Sequence, residues 1–198
     1  MDITPESKNL EKILTGFETS YSVPDYQRDY SWSVDEVETL WLDLCNSYQQ
    51  KSEYFMGTVV LKSENNSDEI FDIVDGQQRL ATFSILFSAF NCIGQALQNT
   101  PDLFRSVDRN KKNLKFAERI SQIAVSRLRE ASEPENYFLK LNKKDNPIFQ
   151  DIIKNSNSLL LTEDELRIVK NDRRLIKTQK TFYKNILDYF TGENAVEE

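Results

Sequence analysis

One short motif carries the side chains best suited to chemistry: Asp75-Gly76-Gln77-Gln78-Arg79. Arg79 is predicted to lie in the first turn of a helix, where the helix dipole already places positive partial charge. A cation there is mismatched by about 0.3–1 kcal/mol unless an anion is bound beside it. A helix that starts after a strand and a glycine turn presents backbone N–H groups to a phosphate. The motif therefore predicts a phosphate site in which Arg79 is a ligand.

The elements that must position this motif are a strand before it and a helix after it. Residues 70–74 alternate apolar and polar side chains and end in two β-branched residues, which is typical of a half-buried strand. Apolar residues then recur at helical spacing from Leu80 to Phe90. Asp75 and Gln78 also fit a capping box, an alternative that explains the junction without any ligand.

A second polar loop, residues 25–32, lies earlier in the chain. It follows a short predicted edge strand, Tyr21–Pro24, and precedes a helix whose start is marked by a capping box of Ser33 and Glu36. Its density of hydrogen-bonding and aromatic groups between two fixed elements is typical of a loop that carries a site. In the alternative interpretation, its aromatic residues cover the edge of the core and its polar residues face water.

The strongest strand signal in the sequence is residues 54–61. This segment and the strand before Asp75 are close enough in sequence to pair as a hairpin. Gly57 lies inside the predicted strand, where glycine marks either a close approach to the backbone or a bulge.

Composition excludes several classes of protein. The chain has 198 residues, a formal net charge of −7 and no histidine. Without an imidazole it cannot use a histidine base or a histidine-containing zinc site, and its acidity argues against non-specific coating of nucleic acid. Cys45 and Cys92 lie in apolar helical patterns and are predicted to be buried free thiols. The first residues lack the pattern of a signal peptide, so we expect a cytoplasmic location.

Helical patterns dominate the second half of the chain. We predict a first domain at residues 1–100 and a helical extension at 101–198, with helices near 111–131, 147–154 and 163–190 and a short strand in 137–141. Two basic stripes on these helices are either solvated faces or part of a nucleic-acid groove. Their residues are Lys111, Lys115 and Arg119, and Lys170, Arg174 and Lys177.

Three ordered blocks resemble the signature blocks of the N-terminal domain of GmrSD-type modification-dependent restriction endonucleases. They are YSVPDYQRDYSW at residues 21–32, YFMGTVVL at 54–61 and DIVDGQQRLAT at 72–82. Residues 137–153 resemble the helical continuation of that family. The resemblance implies an α+β fold, with a small mixed sheet similar to that of ParB and sulfiredoxin, followed by a mainly helical part.

The resemblance also implies a function. In this family the Asp-Gly-Gln-Gln-Arg motif is tied to binding and hydrolysis of nucleoside triphosphate, in bacterial defence against phage DNA with modified bases or phosphorothioate backbones. The expected partners are the nucleotide, modified DNA, and an HNH-type nuclease domain or separate nuclease subunit, and a homodimer is left open. Because the chain has no histidine, we expect no nuclease activity from it alone.

Carried to matching positions, the motif would handle the nucleotide with Mg²⁺ as cofactor, by phosphoryl transfer to water. The expected catalytic residues are Asp75, Gln77, Gln78 and Arg79, with a glutamine orienting the attacking water. The expected nucleotide-binding residues are Gln27, Arg28, Tyr30, Gly57, Gly76 and Arg79. Asp75 is the expected metal ligand, and Asp72 and Asp29 are reserve ligands.

Two other functional classes compete with this interpretation. One is a sheet-and-helix module without catalysis that senses DNA or nucleotide and regulates a partner nuclease. The other is an antitoxin-like regulatory domain, which leaves the position of Arg79 unexplained.

Overall fold

The computed structural model describes residues 5–14, 19–63, 70–99, 111–129, 137–154 and 173–191. Helices and strands are interspersed in the first half of the chain, and helices dominate the second half. In chain order they are α1 (Leu10–Leu14), β1 (Ser20–Ser22), α2 (Val34–Gln49), β2 (Val60–Ser63), β3 (Ile70–Asp75), α3 (Gln77–Asn99), α4 (Lys111–Ser126), β4 (Leu139–Lys140), α5 (Asn146–Lys154) and α6 (Arg173–Thr191). The predicted α+β class is confirmed.

The strands form one mixed four-stranded sheet in the order β2-β3-β1-β4. β1 pairs in parallel with β3 on one side and with β4 on the other. The prediction of an edge strand at residues 21–24 is therefore wrong. Pro24 suggested an edge because it lacks an N–H, but the strand ends before it, and the last ladder bond runs from Val23 N to Lys140 O at 2.9 Å.

The predicted hairpin is confirmed, but its first strand is shorter than expected. β2 and β3 are antiparallel, with Val60 opposite Asp75 and Ser63 opposite Phe71. Residues 52–59 are irregular, so the prediction of a strand from residue 54 is wrong for most of its length. Gly57 has φ +91°, which an extended strand does not permit.

Helix α3 is the centre of the core. Most of the predicted inward face is buried, including Leu80, Ile85 and Leu86, whereas its members Phe87 and Phe90 are half-buried. Small and polar residues on the other sides of α3, such as Thr82 and Ser88, are buried as well. α3 packs against α4, α5 and α6. Because α3 starts directly after β3, its first turn is held rigidly between the sheet and the helical layer.

The remaining helices match their predictions with shifted ends. Glu36 accepts a hydrogen bond from Ser33 N at 2.7 Å, as the predicted capping box of α2 requires. α1 begins at Leu10, and Asn9 Oδ1 caps it by accepting from Lys12 N at 2.9 Å. Residues 163–172 of the last predicted helix lie outside the described residues.

The helical half contributes to the sheet as well as packing on it. β4 comes from residues 139–140, beyond the predicted domain boundary near residue 100, and pairs with β1 from the first half. The division into two domains stays a prediction.

The two cysteines are free thiols, as predicted. Cys92 is buried on α3, and burial raises its pKa to about 11, so the thiol stays neutral. Cys45 is only half-buried. Among the described helices, none has the length and apolar character needed to cross a bilayer.

Candidate functional site

The predicted strand, glycine turn and helix lie as expected around residues 75–79. β3 ends at Asp75, Gly76 has φ +93°, and α3 starts at Gln77. A Cβ atom on Gly76 would lie 3.0 Å from Val59 Cγ2 and 3.2 Å from Val59 Cα. Glycine is therefore required at this turn both for its backbone angle and for its close packing on the neighbouring segment.

The first turn of α3 has unused hydrogen-bond donors. The first helical bond runs from Leu80 N to Gly76 O at 3.1 Å. No described residue accepts a hydrogen bond from the backbone N–H of Gln77, Gln78 or Arg79. Free N–H groups at the positive end of a long helix are suited to binding an anion.

The two glutamines of the motif hold residues 25–32, the Arg28 loop. Gln78 Nε2 donates to Asp29 O at 3.1 Å, and Gln78 Oε1 accepts from Ser31 N at 2.8 Å. Gln77 Nε2 donates to Arg28 O at 3.3 Å, while its buried Oε1 has no partner in the described part of the chain. The predicted capping box of Asp75 and Gln78 is wrong, because the Gln78 amide reaches the loop instead of turning back to its own helix.

A third amide attaches the Arg28 loop to the end of β3. Gln27 Nε2 donates to Val74 O at 3.0 Å. The Arg28 guanidinium, by contrast, makes no hydrogen bond or ion pair with any residue that the structure describes, and its side chain is exposed. The predicted neighbours Gln27 and Arg28 therefore lie beside the motif, and Arg28 keeps its charge available for a ligand.

On the other side of the turn, Arg79 holds residues 52–59, the Gly57 loop. Its Nη1 donates to Met56 O at 3.1 Å, and its Nη2 donates to Thr58 O at 2.6 Å and to Asp75 Oδ2 at 3.2 Å. A Cβ atom on Gly57 would lie 1.8 Å from Arg79 Nη1. The close approach predicted at Gly57 is therefore made by Arg79 itself.

These contacts explain how the positive charge of Arg79 is accommodated at the start of α3. Carbonyl oxygens and a carboxylate compensate the charge of Arg79 within the chain, so its position no longer requires an anion. A guanidinium has five N–H donors, and the bonds to Met56, Thr58 and Asp75 use three of them. A phosphate contact by the remaining donors stays a prediction.

Residues 141–146, which were not predicted to belong to the site, also hold the Arg28 loop. We call them the Asp145 segment. Asp145 Oδ2 accepts from Tyr30 N at 2.5 Å, and Asn142 Nδ2 donates to Gln27 O at 3.3 Å. Lys144 pairs with Asp29. The available signal was a carboxylate placed directly before a helix, in a segment that also resembles the family, but its partner is far away in sequence.

Tyr30 was predicted to bind nucleotide, and the structure places its side chain in the core. The residue is 4% exposed, and its hydroxyl lies 2.8 Å from Thr82 Oγ1 and 3.1 Å from Thr178 Oγ1. Its phenol thus anchors the Arg28 loop between α3 and α6.

A shallow recess lies between the Arg28 loop, the first turn of α3 and the Asp145 segment. Arg28, Gln77, Gln78 and Asn142 are among its lining residues, and it is open to solvent. Its cavity volume of about 10 Å³ is close to the space that one water molecule needs. The recess does not enclose a nucleotide, so a bound nucleotide would lie mostly on the surface around it.

Asp75 is the most suitable metal ligand among the three predicted ones. Its carboxylate is 67% exposed and gives Oδ2 to Arg79, which leaves Oδ1 for a cation. Asp72 accepts from Ser22 Oγ at 2.8 Å, and Asp29 pairs with Lys144. The described residues contain no group of three or more metal-ligating side chains. Mg²⁺ bound with a nucleotide often uses only one or two carboxylates, so a single protein ligand fits.

The basic stripes belong to α4 and α6 and not to the first turn of α3. Lys115 and Arg119 are exposed on α4, and Arg174 and Lys177 are exposed on α6. The Lys111 side chain and Lys170 are outside the described residues. A role in DNA binding stays a prediction for all of them.

Comparison with known proteins identifies one family. A family model described as the N-terminal domain of GmrSD restriction endonuclease matches residues 10–197. The match spans the Arg28 loop, the motif at residues 75–79 and the Asp145 segment. A comparison with curated proteins gave no significant match.

Proposed function

The chain belongs to the family of GmrSD restriction endonuclease N-terminal domains, and from this membership we propose that it binds and hydrolyses nucleoside triphosphate. In this proposal it serves as the sensor module of an anti-phage restriction system acting on modified DNA. Cleavage of DNA belongs to a partner nuclease domain or subunit.

The observation that carries this proposal is the unused first turn of α3. Three backbone N–H groups, those of Gln77, Gln78 and Arg79, have no acceptor in the described chain and follow a glycine turn. The Arg28 guanidinium lies on the loop attached to this turn and has no described ionic partner. Donors at the positive end of a helix, together with a free cation, favour the binding of phosphate oxygens.

The chain's other residues then have distinct roles. The first-turn N–H groups and Arg28 bind phosphate oxygens, and Arg79 adds its remaining donors while it holds the Gly57 loop. Gln77 Oε1 is the acceptor without a described partner, so we assign it to orienting the attacking water. Mg²⁺, held through Asp75, would neutralise charge on the phosphates.

A second candidate function is nucleotide or DNA sensing without hydrolysis. The observation in its favour is that both ends of the Gln78 amide already hold the Arg28 loop, through Asp29 O and Ser31 N, so this side chain is oriented by the loop. Binding of nucleotide without phosphate release would favour this candidate.

The test compares binding and turnover in the wild type and in Arg28→Gln. We expect phosphate release with at least one of the four nucleoside triphosphates and Mg²⁺. Arg28→Gln should weaken nucleotide affinity about tenfold, because it removes one charged hydrogen-bond donor, and should leave the melting temperature unchanged. Lys180→Gln is the matched control, since it removes another exposed cation, on α6. Equal affinity in the two variants, or no nucleotide binding by the wild type, would contradict the proposal.

Coupling to DNA is tested by linkage. If modified DNA binds one nucleotide state more tightly, the nucleotide must change DNA affinity by the same factor. We expect modest, salt-sensitive affinity for modified duplexes, given the net charge of −7. Titrations at low and moderate salt, with phosphate release followed in parallel, should show both effects; no binding to any duplex and no change in hydrolysis would remove DNA sensing from this chain.

A further inference from the structure

The Arg28 loop is held by a buried carboxylate that lies 115 residues away in the sequence. Asp145 is 1% exposed, and its Oδ2 accepts from Tyr30 N at 2.5 Å. Solvent cannot replace a buried carboxylate oxygen that accepts from a backbone N–H. Removing it would leave the Tyr30 N–H without its partner in a buried place.

Asp145 is itself fixed in place on both sides. Its N–H donates to Asn142 Oδ1 at 3.0 Å, and its carbonyl accepts from Phe149 N at 2.9 Å. Phe149 is fully buried on α5, which starts at Asn146. The carboxylate thus extends from a rigid part of the helical half towards the loop.

The Asp145 segment and the first turn of α3 hold the same short stretch of backbone. Gln77 binds Arg28 O, Gln78 binds Asp29 O and Ser31 N, and Asp145 binds Tyr30 N. Arg28 is the residue of this stretch whose charged group remains free among the described residues. Its guanidinium can be directed at a ligand only if the backbone around it is fixed.

We propose that Asp145 is a positioning residue of the phosphate site, which fixes the backbone of the Arg28 loop so that the Arg28 guanidinium faces the first turn of α3. This inference rests on the proposed function for its ligand. In this proposal the helical half of the chain takes part in nucleotide binding, because Asp145 keeps the Arg28 loop ordered.

The test measures the order of the loop and the affinity for nucleotide separately. Trypsin cuts after Arg28 only when the loop opens, so the cleavage rate at this bond reports the open population. Asp145→Ala should raise that rate about tenfold or more, because it removes the buried carboxylate oxygen that accepts from Tyr30 N. Asp145→Asn keeps an acceptor oxygen and should restore most of the protection.

The matched control is Ser88→Ala. It removes another buried hydrogen bond between the two halves, from Ser88 Oγ to Ile152 O at 2.8 Å, without touching the loop. We expect a similar loss of melting temperature but little change in cleavage after Arg28. If Asp145→Ala fails to fold, Asn142→Ala replaces it, because it removes the bond from Asp145 N to Asn142 Oδ1 that fixes the backbone of Asp145. The same rise in cleavage and fall in affinity are expected, and unchanged cleavage would overturn the role of Asp145.

Affinity for ATP, measured by equilibrium dialysis, should fall in Asp145→Ala and recover in Asp145→Asn, because the bound state requires the ordered loop. The size of the fall follows the loss of the ordered fraction and not the rise in cleavage. Unchanged cleavage in Asp145→Ala, or an equal rise in Ser88→Ala, would overturn the role of Asp145. Raised cleavage with wild-type affinity would also overturn it, because the loop order would not serve binding. If the wild type binds none of the four triphosphates, the proposed function fails, and the cleavage rates still decide whether Asp145 holds the loop.

Discussion

The two loops beside the first turn of α3 are held in different ways. The Arg28 loop has several independent attachments, from Gln77, Gln78, Asn142 and Asp145. The Gly57 loop has its two carbonyl contacts to one side chain, the guanidinium of Arg79. The Arg28 loop is thus attached by several side chains. The Gly57 loop depends on one side chain for both of these carbonyl contacts, besides the packing of Val59 on Gly76 and the bond from Ser52 N to Ser47 O at 2.9 Å.

This difference indicates which loop tolerates change. A loop with many partners should keep its average position when one of them is removed, although it opens more often. The Gly57 loop should shift further when Arg79 moves, because both of its carbonyl contacts to Arg79 are lost together. The comparison also indicates different roles. The Arg28 loop holds the backbone around the Arg28 guanidinium in place, and the Gly57 loop covers the other side of the glycine turn.

The largest effect is expected from Gly57→Ala. A Cβ atom would lie 1.8 Å from Arg79 Nη1, and the backbone has φ +91°, a region that alanine rarely adopts. We expect the free energy of unfolding to fall by about 3 kcal/mol, from backbone strain and from displaced hydrogen bonds to Arg79. Chemical denaturation of Gly57→Ala and of the wild type measures this difference in the free energy of unfolding.

The control for that prediction is a double-mutant cycle with Arg79→Ala. If Gly57 matters because of Arg79, the two losses will not add, and the double variant will be more stable than their sum predicts. Strict additivity would show that the two residues act independently. It would contradict the view that the position of the Gly57 loop depends on Arg79.

A smaller effect is expected from Gln78→Leu. The change leaves Asp29 O and Ser31 N without their partner, but Gln77, Asn142 and Asp145 still hold the Arg28 loop. We expect a loss of about 1–2 kcal/mol in the free energy of unfolding. Cleavage by trypsin after Arg28 should rise less than in Asp145→Ala. A loss as large as that of Gly57→Ala would contradict the shared attachment of this loop.

The smallest effect is expected from Asp75→Asn. Its ion pair with Arg79 joins a carboxylate that is 67% exposed to a guanidinium that already binds two carbonyls. Exposed pairs contribute little, so we expect a change below about 0.5 kcal/mol in the free energy of unfolding. Phosphate release should fall much more if Asp75 holds Mg²⁺. Unchanged turnover at limiting Mg²⁺ would remove it as a metal ligand.

The local parts of this fold follow from the sequence. Alternation in residues 70–74, the glycine at position 76 and the apolar spacing after Leu80 predict a strand, turn and helix, and the structure has them. The capping box of Ser33 and Glu36 was equally predictable, because both of its groups lie within one turn of the chain.

The parts that could not be predicted depend on partners far away in the chain. The interior position of β1 depends on β4, whose residues 139–140 join it only in the folded protein. Gln78 was expected to cap its own helix, and it binds the Arg28 loop, which no local pattern specifies. Asp145 was missed for the same reason, since its contact with Tyr30 joins residues 115 positions apart.

The most direct test of phosphate binding at the first turn of α3 is the response of backbone amides to a non-hydrolysable nucleoside triphosphate with Mg²⁺, followed by amide NMR on the labelled chain. We expect the largest shift changes at Gln77, Gln78 and Arg79, whose N–H groups have no described acceptor in the free protein. The same titration of Arg28→Gln should need about tenfold more nucleotide for the same changes. Shift changes confined to other elements, or none at saturating nucleotide, would contradict phosphate binding at the first turn of α3.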